Sequence, residues 1–235
     1  MTRTAARTFR PDLTRRRVMT ATAALATFTL GAVSFMAPMP AEAQRRPAGP
    51  SEVPMEELMK PIDGLKDIVL GDPNAKVAIV EYASMTCGHC SHFHKENFPK
   101  LKEKYIDTGK VSYVMREFPL DNLAAAASML ARCAPNGKNY EMADMLFNTQ
   151  ADWAFVQGNP VPKLFEIAKQ AGFTQESFDT CLKDQKLLDQ INAQRARASE
   201  QFGVSATPTF FINGKKLQGA PNVESFDAMI EPLLK

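Results

Sequence analysis

Short apolar runs and longer helical patterns alternate along most of the chain. Val77–Val80 is a continuous apolar run rich in β-branched residues, which is typical of a strand buried on both faces. Residues 111–118 alternate well enough to predict a second long strand, and Ile68–Leu70 predicts a short first strand. Between the two long strands, residues 90–107 predict a helix. We expect Pro99 to kink that helix, because proline has no N–H and its ring displaces the preceding turn.

From about residue 121 to residue 202 the pattern is helical, with few strand signals. Five segments have helical character: Leu123–Cys133, Tyr140–Phe147, Val161–Ala171, Gln175–Leu182 and Lys186–Phe202. Strand signal returns at Thr209–Ile212, where Asn213-Gly214 predicts a hairpin turn and Lys215–Leu217 its return strand. A final amphipathic helix would be capped by Asn222. The element order predicts an α/β fold with an inserted helical domain.

The first 43 residues have the layout of a secretory signal peptide. Six arginines against one acid precede an apolar run from Val18 to about Pro38, and Ala41-Glu42-Ala43 is a small-residue cleavage signal. Arg15-Arg16-Arg17 before two apolar residues resembles a twin-arginine export signal, with an ordinary secretory signal as the alternative. We therefore expect export to the periplasm and cleavage near Ala43.

The rest of the chain then reads as one domain with an irregular start. Residues 44–66 carry four prolines and predict a lead-in to a domain at 67–235. Without the signal, 22 basic and 24 acidic residues remain, a formal charge of −2, so the basic character of the whole chain resides in the signal. That charge gives no argument for a nucleic-acid partner. No later stretch has the length of a membrane span.

The chemistry centres on Cys87-Gly88-His89-Cys90, which lies between a buried strand and a helix start. Disulfide exchange needs a thiolate, and a helix N-terminus stabilises one through unpaired N–H groups and its dipole. Cys87 should therefore be the exposed nucleophile, and Cys90 the thiol that resolves the mixed disulfide. His89 can donate to, or place positive charge near, the Cys87 sulfur. A structural disulfide is the simpler alternative for such a pair.

Two motifs together resemble the DsbA-like thiol:disulfide interchange proteins of the thioredoxin superfamily. One is the segment from Glu81 to Cys90, and the other is Gly203-Val204-Ser205-Ala206-Thr207-Pro208-Thr209-Phe210. The resemblance covers residues 66–235 and implies a thioredoxin-like fold. It implies that Pro208 is cis and lies against the cysteine pair. The Thr207 backbone would bind an incoming peptide, and Glu81 would be the buried acid that exchanges a proton with Cys90.

The resemblance also implies partners and a place for the other two cysteines. Substrates would be unfolded exported proteins, a DsbB-like or DsbD-like membrane protein would reset the pair, and no cofactor would be required. Some DsbA-like proteins carry a second disulfide, and an even cysteine count in an oxidising compartment favours one here. We predict a structural disulfide between Cys133 and Cys181. A monomer is expected, because the lead-in is too short and proline-broken for a dimerisation segment.

Departures from the family pattern leave the direction of electron flow open. DsbA oxidases typically have Pro-His between their cysteines, whereas this chain has Gly-His, as in protein disulfide isomerases. Threonine before the cis-proline is also more familiar from exported isomerases. The range of reduction potentials in such proteins, about −120 to −270 mV, is wide enough to reverse the physiological direction. An isomerase or reductase is therefore the alternative within the family.

A copper- or zinc-handling protein is the alternative from another class. His89, His92 and His94 all lie close to Cys87 in sequence and could supply metal ligands. However, positions 92 and 94 point about 200° apart on a helix with 3.6 residues per turn. We therefore expect no metal, and place His92 and His94 on the surface or in a groove. Met85 is a candidate for an apolar groove beside Cys87.

Overall fold

The computed structural model describes residues 49–235; the expected signal peptide at 1–43 and the first residues of the lead-in lie outside the described residues. Within the described part, a mixed sheet has the strand order β1-β3-β2-β4-β5. Its strands are β1 Ile68–Leu70, β2 Val77–Ala83, β3 Val111–Glu117, β4 Thr209–Ile212 and β5 Lys215–Lys216. β2 and β3 are parallel, and the other neighbours pair antiparallel. The strands predicted from the sequence are confirmed to within a few residues.

The helices also follow the predicted order. They are α1 Met55–Met59, α2 Gly88–Glu96, α3 Phe98–Leu101, α4 Asn122–Arg132, α5 Asn139–Asn148, α6 Gln150–Trp153, α7 Val161–Gln170, α8 Gln175–Leu182, α9 Gln185–Gln201 and α10 Val223–Leu234. The break between α2 and α3 lies just before Pro99, as expected, and a π-helical turn at Lys102–Ile106 follows α3. The side chain of Asn222 accepts from the backbone N–H of Ser225 and caps α10.

Alternation along β2 distributes its side chains between two apolar layers. Ile79 and Ala83 belong to the larger layer, which also contains α2 and the helical insertion. Val80 and Tyr82 belong to the smaller layer on the other face, which includes Leu58 of α1. Because successive strand residues point to opposite faces, Glu81 projects with Ile79 and Ala83 toward the helix that carries the cysteine pair. Strand periodicity thus places a carboxyl group within the larger layer.

The helical insertion packs around one corner of that layer. α4 contacts α5, α8 and α9, and α5 contacts α2. Trp153 is fully buried in this layer, and its indole N–H donates to the Leu146 carbonyl. None of the helices between residues 49 and 235 is long and apolar enough to cross a membrane.

The lead-in is irregular apart from α1, but it packs closely on the sheet. The Val53 N–H donates to the Gly214 carbonyl and the Lys216 N–H donates to the Ser51 carbonyl, both at 2.8 Å, so the segment runs along β5. The buried Arg116 of β3 donates to both carboxylate oxygens of Asp67 at 2.8 Å and also to the Leu58 carbonyl. These contacts join the lead-in to the thioredoxin-like domain, which the proline-rich sequence did not indicate.

Candidate active site

The cysteine pair lies where β2 turns into α2. Cys87 is the N-cap residue of α2, with extended backbone, and its N–H donates to the Ser84 carbonyl at 3.0 Å. The relative exposure is 8% for Cys87 and 0% for Cys90, and both thiols are free. Cys87 is therefore the more accessible of the two. It is nevertheless largely covered, whereas we expected it to be exposed. The loop before β4 lies against it, with the Thr207 carbonyl oxygen 3.3 Å from the Cys87 sulfur.

Hydrogen bonds to the Cys87 sulfur favour its thiolate. The pKa of Cys87 is lowered to about 5, and the largest cause is the hydrogen bond from the Cys90 thiol. Burial opposes this shift, whereas the Thr207 side chain and the backbone N–H groups of His89 and Cys90 support it. A helix N-terminus offers such N–H groups because they have no partner within the helix.

The pKa of Cys90 is shifted in the opposite direction. Its pKa is raised well above the usual thiol value, first by burial, then by its hydrogen bond to Cys87 and by the charge of Glu81. Desolvation disfavours a charged sulfur, and two nearby negative charges add to that effect. The two thiols, three residues apart, therefore differ strongly in acidity.

His89 has an exposed side chain. Its contribution to the Cys87 thiolate comes from the backbone N–H, and in the described part of the chain the imidazole forms no hydrogen bond to that sulfur. The role expected for the side chain, donating to the sulfur or placing charge near it, is thus not visible in this reduced form. The solvent-facing ring remains free to meet a substrate.

The Thr207-Pro208 peptide bond is cis, and this loop faces the cysteine pair. The Cys87 thiol donates to the Thr207 carbonyl across 3.3 Å. The Thr207 hydroxyl oxygen is buried, with no fixed hydrogen-bond partner among the described residues, so its proton can turn toward the sulfur. Two motifs that are 120 positions apart in sequence thus meet at one sulfur atom.

Glu81 is fully buried beneath the cysteine pair. Its Oε2 atom lies 3.0 Å from His94 Nε2 and also accepts from the Tyr113 hydroxyl. Oε1 has no hydrogen-bond partner in the described part of the protein. The carboxyl group is therefore held through one oxygen, while the other is left open.

The expectation for His94 is wrong, whereas His92 is exposed as predicted. His94 is 1% exposed and lies in the core against Glu81. Positions 90 and 94 lie on one face of a helix, so the i, i+4 spacing from Cys90 was the signal that could have placed His94 inward.

Met85 is likewise buried, at 2% exposure, and does not line an open groove. Among residues 49–235, no group of three or more His, Cys, Asp or Glu side chains is arranged to hold a metal ion.

Gln150, at the start of α6, is a site residue that the sequence did not single out. Its buried side-chain amide donates to the Met85 carbonyl at 2.7 Å and to the Cys87 carbonyl at 3.0 Å. These bonds hold the backbone of the active-site turn from the side of the helical insertion. A single buried glutamine in a helical stretch carries no sequence signal for this role, because its partners are 65 and 63 positions away.

Cys133 and Cys181 are joined by a disulfide that links the end of α4 to α8, with 6.1 Å between their Cα atoms. Cys181 is buried, and Cys133 is partly exposed. The bond crosses the helical insertion and is separate from the Cys87–Cys90 pair.

Comparison with known proteins gives concordant results. Residues 64–232 match the family model described as Thioredoxin. A protein of Rickettsia bellii whose name assigns it to the protein-disulfide oxidoreductases is 34% identical over 170 residues, which cover 72% of this chain and 65% of that protein. A relative of the same name from Rickettsia typhi is 35% identical over 150 residues, 63% of this chain and 55% of that protein. The chain thus spans less than two thirds of the length of these relatives.

Solved structures agree with this assignment. The crystal structure of Wolbachia pipientis alpha-DsbA1 is 36% identical, with a TM-score of 0.70, and the match covers 76% of this chain and 94% of that one. A protein-disulfide isomerase from Novosphingobium aromaticivorans is 25% identical, with a TM-score of 0.62 and coverage of 72% and 97%. The fold, the family match and these relatives agree with the paired motifs, and the chain belongs to the DsbA-like proteins of the thioredoxin superfamily.

Proposed function

We propose that this protein is an exported thiol–disulfide oxidoreductase that acts on protein substrates through Cys87 and Cys90. The observation that carries the proposal is the contact of Cys87 with both the α2 N-terminus and the cis Thr207-Pro208 loop. A thiolate there is stabilised by the Cys90 thiol and the N–H groups of the helix start, and the adjacent loop offers backbone groups that an extended peptide can pair with.

The proposed reaction is a pair of thiol–disulfide exchanges. In one direction, the Cys87 thiolate attacks a substrate disulfide, and a mixed disulfide forms while the other substrate sulfur leaves as a thiolate. Cys90 then loses its proton to Glu81 and attacks the Cys87 sulfur, which releases the second substrate sulfur and leaves Cys87–Cys90 oxidised. The reverse sequence transfers the disulfide to a substrate dithiol. Thr207 and Pro208 would align the peptide, and His89 would meet it from solvent.

We favour oxidation of substrates as the physiological direction. A lowered Cys87 pKa stabilises the reduced form of the pair, and a disulfide whose reduced form is stabilised is a strong oxidant. The Gly-His dipeptide and Thr207 before the proline are the features in favour of an isomerase or reductase.

The proposed site of action is the periplasm. The proposal rests on the signal-like pattern of residues 1–43, with cleavage near Ala43, and on a second disulfide of the kind common in oxidising compartments. Unfolded exported proteins would be the substrates, and a DsbB-like or DsbD-like membrane protein would reset the pair. The protein would act as a monomer without a cofactor.

The equilibrium reduction potential in glutathione buffers tests the direction. We expect a value near or above about −180 mV, in the range of proteins that donate disulfides. A value near or below about −220 mV would instead identify a reductase or isomerase that needs a source of electrons. Monitoring Cys133 and Cys181 separately by mass spectrometry keeps the second disulfide out of the measurement.

The reactivity of Cys87 should depend on pH with an acidic midpoint. Below its pKa the sulfur is protonated and unreactive, so the rate of alkylation by iodoacetamide should rise with pH through a midpoint at about 5. Replacing Cys90 by alanine removes the largest cause of the lowered pKa and should move that midpoint upward. A midpoint near the ordinary thiol value of about 8.5 in the unchanged protein would contradict the proposed activation.

A further inference from the structure

A buried histidine lies next to the proposed proton acceptor, outside the two motifs that carry the family resemblance. His94 and Glu81 both have side chains that are 0% exposed, and they meet across 3.0 Å between Nε2 and Oε2. The Tyr113 hydroxyl of β3 donates to the same Oε2 atom. Burying a polar group destabilises the folded protein unless that group is hydrogen-bonded. The hydrogen bonds of this cluster therefore limit which nitrogen of His94 and which oxygen of Glu81 can carry a proton.

The surroundings of His94 define its tautomer. The ring stacks on Phe147 of α5, with centroids 4.2 Å apart and planes within 8°, and it also contacts Phe98. Its Nδ1 atom has no hydrogen-bond partner in the described part of the protein. A proton on Nδ1 would be a buried donor without an acceptor, whereas a proton on Nε2 can be donated to Glu81. A proton on Nε2 therefore satisfies the hydrogen bonding at this site.

Other titratable groups face the pair from each neighbouring element. Tyr140 and Asp144 lie on α5, Tyr113 on β3 and Cys90 on α2. Burial raises the pKa of Asp144, and the nearby His94 opposes that shift. Burial and the charge of Glu81 raise the pKa of Tyr113, so its hydroxyl keeps its proton and remains a donor.

Because both donors bind the same oxygen of the Glu81 carboxylate, its second oxygen remains available. Oε2 accepts from Tyr113 and faces the Nε2–H of His94, while Oε1 has no partner among residues 49–235. Oε1 is therefore the atom that can take up a proton. The charge of Glu81 already acts on the Cys90 thiol, whose pKa it helps to raise.

We propose that His94 is a positioning residue for thiol–disulfide exchange: its Nε2–H fixes Oε2 of Glu81 and keeps Oε1 as the acceptor for the Cys90 proton. This inference rests on the proposed function and deepens it. In the step concerned, the S–H bond of Cys90 breaks and its proton moves to Oε1. The Cys90 thiolate then forms the bond to Cys87, and the substrate sulfur leaves with the electron pair of the broken mixed disulfide.

Reaction of the reduced protein with dithiobis(nitrobenzoate) separates the two steps. The first thionitrobenzoate is released when Cys87 attacks, and the second when Cys90 resolves the mixed disulfide, so stopped-flow absorbance follows each in turn. His94→Leu removes one of the two donors that stabilise a charged Glu81. We expect the pH midpoint of the second release to rise by about one unit, and the rate below that midpoint to fall about tenfold. The first release should change little.

Two matched variants separate positioning from packing. His94→Gln can place an amide donor near the position of Nε2 and should keep most of the second-step rate. His92→Leu makes the same substitution at an exposed position on the same helix and should leave both releases unchanged. Equal losses in His94→Leu and His94→Gln, or an unchanged pH profile in His94→Leu, would overturn the inference.

A measurement on the unchanged protein is independent of how the variants fold. The ¹⁵N chemical shifts of the His94 ring in the reduced protein report its tautomer, and we expect the proton on Nε2. A proton on Nδ1 would mean that Nε2 accepts from Glu81, which contradicts the positioning role. If the unchanged protein gave no first release at all, the proposed function would fail, whereas a normal first release with a His94-independent second release would refute this inference alone.

Discussion

Replacing Cys90 by alanine should turn the protein into a trap for its substrates. Cys87 can still attack a disulfide, but the thiol that resolves the mixed disulfide is gone. Held beside its target, a neighbouring thiol acts with an effective molarity that can reach about 10⁵ M, so release should slow by at least about 1000-fold. Mass spectrometry under non-reducing conditions should then detect a stable adduct with a model peptide disulfide, at one adduct per protein.

Cys87→Ala is the matched control for that experiment. It removes the sulfur at the α2 N-terminus and leaves only the fully buried Cys90, whose raised pKa disfavours a thiolate. We expect no adduct and no exchange activity. Adducts on Cys90 in this variant, or full turnover by Cys90→Ala, would show that the proposed roles of the two thiols are wrong. Either result would overturn the proposed order of attack.

Removing the second disulfide should have the largest effect on stability. The Cys133–Cys181 bond closes a loop with a sequence separation of 48 residues. In the chain-entropy description, a cross-link of this length stabilises the folded state by about 4 kcal/mol, because it restricts the unfolded chain. The double variant Cys133→Ala/Cys181→Ala should lose about that much free energy of unfolding in urea, with a melting temperature lower by about 10 °C.

The active pair provides an internal control for the stability measurement. The double variant keeps Cys87 and Cys90, so the first thionitrobenzoate release should retain its rate. Unfolding of the unchanged protein after reduction of all disulfides should give the same free energy as the double variant. If the free energy of unfolding of the double variant equalled that of the unchanged protein within experimental error, packing of α4 against α8 alone would hold this part of the insertion.

The order of elements could be predicted because local pattern determines it. The apolar run of β2, the hairpin turn at Asn213-Gly214 and the Asn222 cap each act over a few residues, and the structure has them close to their predicted bounds. The break before Pro99 follows from the missing N–H of proline. The two cysteine positions at the start of α2 follow from the same local reading.

Other parts of the site depend on contacts between segments that are distant in sequence. The local pattern of apolar and polar residues does not encode such contacts. Gln150 reaches Cys87 only because α6 folds back over the active-site turn. The contact of Cys87 with Thr207 was expected only through the family resemblance, not from spacing. The sequence favours a surface position for His94 only because positions 92 and 94 point in different directions on the helix. Its burial depends on Glu81 opposite it and on the aromatic residues of α5.

The segment that runs along β5 has a further consequence for the edges of the sheet. An unpaired strand edge is a template on which an extended polypeptide can add a strand. Residues 51–53 occupy that position beside Lys215 and Lys216, and the opposite edge is the three-residue strand β1. With one edge paired and the other only three residues long, the sheet offers little unpaired backbone on which another extended chain could add a strand.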